Sequence, residues 1–360
     1  MTLLLLLACV PHVQDSDSTK TPDGDDSGPA SGAQLAIATT DYQTGALALW
    51  DSGTGVLSDS VLLTSSDNAV AAADGKLFVM GRSSENTVRM YGDDLDQPEA
   101  EFSTGDATNP QDVALCGDHI VVALYETNYL GLYSLSGQPA GQVDLSAWGD
   151  GDGGPEADDL YLSPEGYLYV SLNRLNATYR AEGNGRLLKV DCSSGEVVDD
   201  WEVSPNASIY PDARHPGSFL IGGGNYFAEG SAQMELDGWV QSFTTATDTL
   251  SEPLLTEEDF GANLGFVSNE DDGSRVVISD NGYQWELSCV AADGTRTPAL
   301  EGNIYLSSAI FGPDGRLWLA ARPGFGEGSS TEGVIAFDPA TCHAGEPLVT
   351  ALPPSSLAWR

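Results

Sequence analysis

The side chains best suited to ion chemistry are Asp150, Asp152, Glu156, Asp158 and Asp159, which share a run with Gly151, Gly153 and Gly154. Ca²⁺ takes about six to eight oxygen ligands, and glycine gives a loop the freedom to wrap around an ion. Asp150, Asp152, Glu156 and Asp158 are therefore candidate metal ligands, with Ca²⁺ the cofactor they would hold. The order is not that of an EF-hand loop, because Pro155 interrupts it and no Glu stands where that loop ends; a solvated acidic turn is the competing reading. His12, His119, His215 and His343 have no His or Cys partner at ligand spacing, and no cysteine lies in a CxxC pair. GxSxG, HExxH and phosphate-binding glycine loops are absent from the sequence. The glycines at 222–224 are followed by neither a helix nor a lysine, which suits close strand packing better than phosphate binding.

Such residues need a scaffold, and the sequence repeats one. From Asn109 to Ser146, four short apolar runs alternate with tight polar turns, the pattern of a four-stranded antiparallel meander. A large apolar residue ending the third run recurs at Trp50, Tyr91, Tyr133, Val190, Phe243, Val290 and Phe337, at intervals of about 41 to 57 residues. The turn after the first run recurs in AADGKLFV, CGDHIVV, SPEGYLYV, HPGSFLI, DDGSRVVI and GPDGRLWL, one time fewer. The first unit thus lacks its own innermost strand. The repeat opens on QLAIATT (34–40), a second strand, and ends on SSLAW (355–359), a first strand. These counts predict an all-β fold: a β-propeller of seven four-stranded blades over residues 34–360, closed by the C-terminal strand. A β-sandwich with long loops is the competing architecture.

Within that frame, insertions at 176–185, 228–238 and 322–333 fall between second and third strands and enlarge one face, where function usually sits on a rigid scaffold. Arg82, Arg174 and Arg322 follow second strands at that face, with Tyr125, Asn128, Asn225, Tyr226 and Asn281 at comparable ends of other blades. Arginine, tyrosine and asparagine around a central opening suit a carboxylate or sugar, so these eight are the candidate ligand-binding residues. The alternative is that the arginines pair with nearby carboxylates and fix loops.

The formal net charge of −40 over 360 residues would repel phosphate backbones, so nucleic acid is not an expected partner. The opening MTLLLLLACVPH is too short to span a bilayer, which needs about 20 apolar residues. Leu6, Leu7, Ala8 and Cys9 match the lipobox of bacterial lipoprotein signal peptides, although no Lys or Arg precedes the apolar run. The expected organisation is a signal peptide over 1–9 with Cys9 lipidated, then an acidic Ser, Gly, Asp and Pro-rich tether over 10–33. The lipid would tie the chain to the membrane as an outer-membrane lipoprotein of the bacterial cell envelope. Cys116, Cys192, Cys289 and Cys342 remain, an even number that permits three connectivities in an exported chain. Cys289 and Cys342, on or just after the third strands of neighbouring blades, are the favoured pair.

NPQDVAL followed by IVVALYETNYLGLYSL resembles the repeat of the YVTN and NHL-type β-propeller superfamily, and GDGGPEADDLYLSPEGYLYVSLNRL resembles a bacterial lipoprotein subgroup of it. That resemblance implies a cell-envelope propeller and carries over no catalytic residues. Two functions from different classes follow. The first is a monomeric binding or interaction module for a protein, glycan or small molecule. The second is a Ca²⁺-dependent lactonase or similar hydrolase, because GPDGRLWLA resembles strand pairs of gluconolactonase-type propellers and Glu156, Asn225, Asp280 and Asn281 could supply axial ligands. A purely structural envelope protein is a third possibility.

Overall fold

The computed structural model describes residues 32–360 apart from 152, 229, 231–232, 281–284, 303 and 324–331. Cys9, Asp152 and Asn281 lie outside the described residues.

Seven antiparallel sheets follow one another around a ring. Blade two, for example, is Asn68–Ala73, Lys76–Gly81, Thr87–Tyr91 and Ala100–Ser103, paired in that order. The innermost strands of blades two to seven are Asn68–Ala73, Pro110–Cys116, Ala157–Leu162, Ser208–Pro211, Asn263–Val267 and Ile304–Phe311. Second strands such as Lys76–Gly81, His119–Leu124 and Tyr167–Leu172 bury nearly every residue, because each is covered by a neighbouring blade on both faces. Outermost strands such as Leu57–Thr64 and Pro139–Asp144 are mostly exposed. The graded burial explains why second strands read as continuous apolar runs and outer strands do not. All seven large apolar landmarks, from Trp50 to Phe337, end third strands and are buried.

The ring closes as the strand count requires. Pro354–Trp359 pairs antiparallel with Gln34–Thr40 and becomes the innermost strand of blade one. Arg360 and Gln34 exchange backbone hydrogen bonds of 2.9 and 3.0 Å at the end of this ladder. Trp359 then meets Trp50 of the same blade at 6.1 Å and Trp318 of blade seven at 5.5 Å, while Trp50 and Trp318 lie 4.6 Å apart. The seam is thus an aromatic cluster as well as a ladder.

Both disulfides join neighbouring blades: Cys116–Cys192 links blades three and four with a Cα separation of 5.1 Å, and Cys289–Cys342 links blades six and seven with 6.0 Å. Two outer strands are shorter than the repeat predicts. In blade five the fourth strand breaks into Thr249–Leu250 and Leu255–Thr256 on either side of Pro253, whose ring removes a ladder donor. In blade seven only His343–Ala344 pairs in a ladder, with a single further bridge from Val334 to Leu348 beyond Pro347.

Removing residues 353–360 should unfold the ring. Burial of Leu357 alone contributes about 1.5 to 3 kcal/mol, and the lost ladder leaves Gln34–Thr40 as an open edge. A chain ending at Leu352 is expected to melt at a far lower temperature and to associate on gel filtration. Trp359→Ala in the intact chain should cost about 3 kcal/mol. An unchanged melt and monomeric elution for the truncated chain would show that the seam does not hold the ring.

Candidate functional site

The seven innermost strands surround an axial channel. Its wider mouth opens on the face that carries the second-to-third-strand loops, as a cavity of about 470 Å³ to which every innermost strand contributes, from Val70 and Asp112 to Tyr305 and Ser356. A second opening of about 440 Å³ lies at the other end, among Tyr161, Pro211, Phe311 and Trp359.

Local irregularity aims side chains into the wide mouth. The innermost strands slip register between Pro110 and Val113, Ala157 and Leu160, Leu264 and Phe266, and Leu306 and Ser308. A bulge leaves residues out of the ladder and re-aims them. The residues released here include Gln111, Asp112, Asp159, Gly265 and Ser307, all of which line the cavity. Gly265 has a specific reason to be glycine: a Cβ there would lie 2.9 Å from the Trp285 ring, which reaches the cavity over it.

The same bulges tie blade to blade. One carboxylate oxygen of Asp112 accepts from the backbone N–H of Val113 at 2.7 Å, and the other accepts from Leu160 of the next blade at 2.9 Å. Asp159 accepts from Ile209 of blade five at 2.7 Å, and the Ser356 hydroxyl accepts from Val70 of blade two at 3.3 Å. In blade five, Glu257 opens the one-turn helix Glu257–Phe260 and turns fully inward, accepting from Gly238 at 2.8 Å and Leu264 at 2.9 Å. The glycines at 222–224 make room for this: a Cβ on Gly224 would overlap the Glu257 carboxylate, and one on Gly223 the Asn206 carbonyl.

Burial dominates the electrostatics of these groups. It pushes the Asp112 carboxyl up to about 7, with the Asp158 charge adding to it and the Leu160 and Val113 N–H groups opposing it. Glu257 is likewise pushed up to about 7 by burial, against the pull of the Leu264 and Gly238 N–H groups. Asp159 is raised well above the usual carboxylate range by burial and by the neighbouring Asp158 and Asp112. Burial also raises Asp158, which the Asn173 amide and the Arg82 charge partly offset.

The residues singled out from sequence are placed at this face but divide in role. Arg82 is held by Asp67 at 2.8 Å and donates to Gln111 at 2.9 Å, so it fixes a loop as the competing reading expected. Arg322 is buried, donates to the Thr40 carbonyl at 2.9 Å and stacks 4.6 Å over the Tyr42 ring. Arg174 donates to the Asn184 carbonyl at 3.0 Å. Asn225 is a clasp: its Oδ1 accepts from Ala181 at 2.8 Å, its Nδ2 donates to Asp237 at 2.9 Å, and Arg180 pairs with Glu235 beside it. The insertions of blades four and five are thereby locked into one rim. Tyr125 sits behind the mouth, its hydroxyl pKa raised by burial and by Asp158 and Glu156. Asn128 is exposed in its turn. Of the eight, Tyr226 alone lines the cavity among the described residues.

The three described members of the acidic loop do not converge. Glu156 is buried and accepts from the Leu175 N–H at 2.8 Å, and Asp158 accepts from Asn173 at 3.0 Å. Among the described residues no group of three or more His, Cys, Asp or Glu side chains is close enough to hold a metal ion. The axial set from Glu156, Asn225 and Asp280 is likewise divided, because the Asn225 amide is spent on the rim clasp.

Asp159, which belongs to the acidic run, lines the cavity; the cavity-lining residues missed from sequence are chiefly Asp112, Tyr210, Glu257, Asn263, Trp285 and Tyr305. A signal for some of them existed. Asp112, Asp159, Ser208 and Ser356 each directly precede the apolar half of an innermost strand, a polar position that recurs around the ring.

Comparisons with known proteins point to the same architecture. No protein-family model matches the chain, and no curated protein sequence matches it significantly. Solved structures do. A 6-phosphogluconolactonase-like protein from Bacteroides uniformis superposes with a TM-score of 0.62 at 14% identity, over 92% of this chain and 100% of its own. A streptogramin B lyase matches with 0.53 at 13% identity over 83% and 93%, and the WD40 domain of Neurospora crassa Pan2 with 0.51 at 12% over 84% and 89%. At such identities the likeness establishes the fold alone: the chain is a seven-bladed β-propeller.

The buried carboxyls set the pH dependence of stability. A carboxyl whose folded pKa is raised above its unfolded value contributes stability that is fully present below about pH 4 and is lost as pH rises through the folded value. For Asp112 and Glu257 that loss runs from about pH 4 to about pH 7 and levels off above it, at up to about 1.4 kcal/mol per group per pH unit within the window. Turn carboxylates such as Asp41 and Asp293, lowered by backbone N–H bonds, act oppositely and only in the acid range. The melting temperature should therefore rise as pH falls from about 8 to about 5, and Asp112→Asn should make that slope shallower. A melting temperature flat or falling over that interval would contradict the assignment.

Proposed function

We propose that the protein is a binding module: a propeller that takes a small polar molecule into the wide mouth of its channel and is held at a bacterial membrane by a lipid on Cys9. The observation that carries the binding half is the cavity itself. It is concave, of small-molecule size, drawn from all seven innermost strands, and furnished with carboxylates, hydroxyls and aromatic rings in a rigid frame. The anchoring half rests on the Leu6 to Cys9 match and the polar tether behind it. Two interblade disulfides favour an oxidising compartment, which suits a periplasmic or surface position. The resemblance to YVTN and NHL-type repeats belongs to the same reading.

Hydrolysis of a lactone is the second reading. It draws on the fold shared with the B. uniformis protein, while Glu156 and Asn225, two of the four residues that would supply its axial metal ligands, are engaged elsewhere. Binding without turnover accounts better for carboxylates that serve as joints between blades.

Two measurements check the proposal. Expressed in a bacterium with its natural leader, the chain should enter the detergent phase, and Cys9→Ser should leave it in the aqueous phase; a Cys9→Ser protein that still partitions with detergent defeats the anchor. A thermal-shift panel of neutral, anionic and cationic small molecules should give at least one stabilising compound whose effect disappears in Ser308→Trp, which plugs the cavity. No stabilising compound, or one indifferent to the plug, defeats the binding site.

A further inference from the structure

We propose that the ligand of this mouth is a small organic cation, an alkylammonium or quaternary ammonium compound held between the Tyr226, Trp285 and Tyr305 rings and the carboxylates of Asp112, Asp159 and Glu257. The inference rests on the binding-module reading above and names the chemistry of its ligand.

Charge accounting comes first. Asp112, Asp159 and Glu257 line the cavity, and their described partners are backbone N–H groups, a hydroxyl and the Asn263 amide, with no cation among them. A buried carboxylate without a counter-charge is costly, and a matching cation recovers that cost. The nearest arginines cannot supply one. Arg82 is engaged by Asp67 and Gln111, Arg322 by the Thr40 carbonyl and the Tyr42 ring, and neither lines the cavity.

The second observation is an amide oxygen beside the Glu257 carboxyl. Asn263 is 4% exposed and lines the cavity. Its Nδ2 donates to the Asn225 carbonyl at 2.9 Å and the Glu235 carbonyl at 3.0 Å, and its Oδ1 has no partner among the described residues. A buried acceptor left in this way lacks a donor. A primary alkylammonium N–H, or the hydroxyl of an amino alcohol such as choline, is a donor that a ligand of this mouth can bring; a carboxylate brings none.

The aromatic wall supplies the third. Trp285 meets Tyr305 edge-on at 5.1 Å and Tyr226 at 6.5 Å, and Gly265 is kept free of a side chain so that the indole can reach the cavity. Faces of tryptophan and tyrosine attract cations through their quadrupole. Burial raises the Tyr226 hydroxyl pKa, and the nearby Asp280 and Glu257 charges add to it. Among the described residues the acidic groups are spread around the channel and do not cluster tightly enough for a metal ion. A cation with several points of contact fits this arrangement better than a single ion does.

Isothermal titration of the full chain with choline, putrescine, glucose, gluconate and CaCl₂ tests the assignment, each in low salt and again in about 0.3 M NaCl. Choline or putrescine is expected to bind with one-to-one stoichiometry, to persist in salt, and to weaken at least ten-fold in Tyr226→Ala and in Trp285→Leu. Because Tyr226 is 40% exposed, its alanine variant should melt within a few degrees of the parent and separates lost contact from lost fold. Binding of glucose or gluconate in a Tyr226-dependent manner, without the amines, overturns the cation assignment and leaves the binding site standing. Amine binding that vanishes in salt or ignores both variants is counter-ion adsorption on an acidic surface and overturns it too. Binding of CaCl₂ alone, or of nothing, has the same consequence.

Discussion

Everything in this molecule depends on the pairing of Pro354–Trp359 with Gln34–Thr40, which joins two ends of the repeat region more than 300 residues apart. A blade is a flat four-stranded sheet with two apolar faces, and only neighbours on both sides bury them. In an open ring, blades one and seven would each keep a bare face, and the seam would expose Ile37, Trp50, Trp318 and Val334, which pack as one buried cluster. Closing the ring turns six interfaces into seven. It also fixes the channel diameter, because the innermost strands are held at spacings set by side chains packed between blades. The two disulfides lie at other interfaces, one between blades three and four and one between blades six and seven, next to the seam but not across it. The seam itself has no covalent support and relies on its ladder and its three tryptophans.

The architecture was legible because it is written in quantities that sequence displays directly: runs of apolar residues, turns, and their period. QLAIATT and SSLAW could be assigned to one sheet from counting alone, since one turn type occurred one time fewer than the other. Where the prediction overreached, proline was the reason, in the broken outer strand at Pro253 and the shortened one near Pro347. Outer strands have one neighbour and little burial, so a single missing donor ends them.

The site was far less legible. Arg82, Arg174, Arg322 and Asn225 were correctly placed at the loop-bearing face, yet side chains there can bond sideways into loops as easily as inward. Their partners, Asp67, Asn184, Thr40 and Asp237, come from other turns and could not be read from spacing. The groups that do face the axis owe their direction to bulges, and a bulge shifts the two-residue period on which an inward or outward assignment rests. Asp112 looks like a solvent-facing residue of an ordinary alternating strand, and Asp159 like part of an acidic loop, until the register slips are known.

That geometry has a consequence for how such a site can change. In Asp112 and Asp159 the side chain that lines the channel also caps the next blade. The backbone N–H of Leu160 or Ile209 lowers the cost of burying the charge, and the charge satisfies a donor that its own ladder leaves unpaired or turned toward the axis. Replacing either aspartate by an apolar residue removes ligand chemistry and orphans a buried N–H at a blade joint together. Tyr226 and Trp285 carry no such double duty, since their polar atoms make no interblade bond among the described residues. Substitution is therefore cheap on the aromatic side of the mouth and costly on the acidic side, because only the acidic side also holds the blades together.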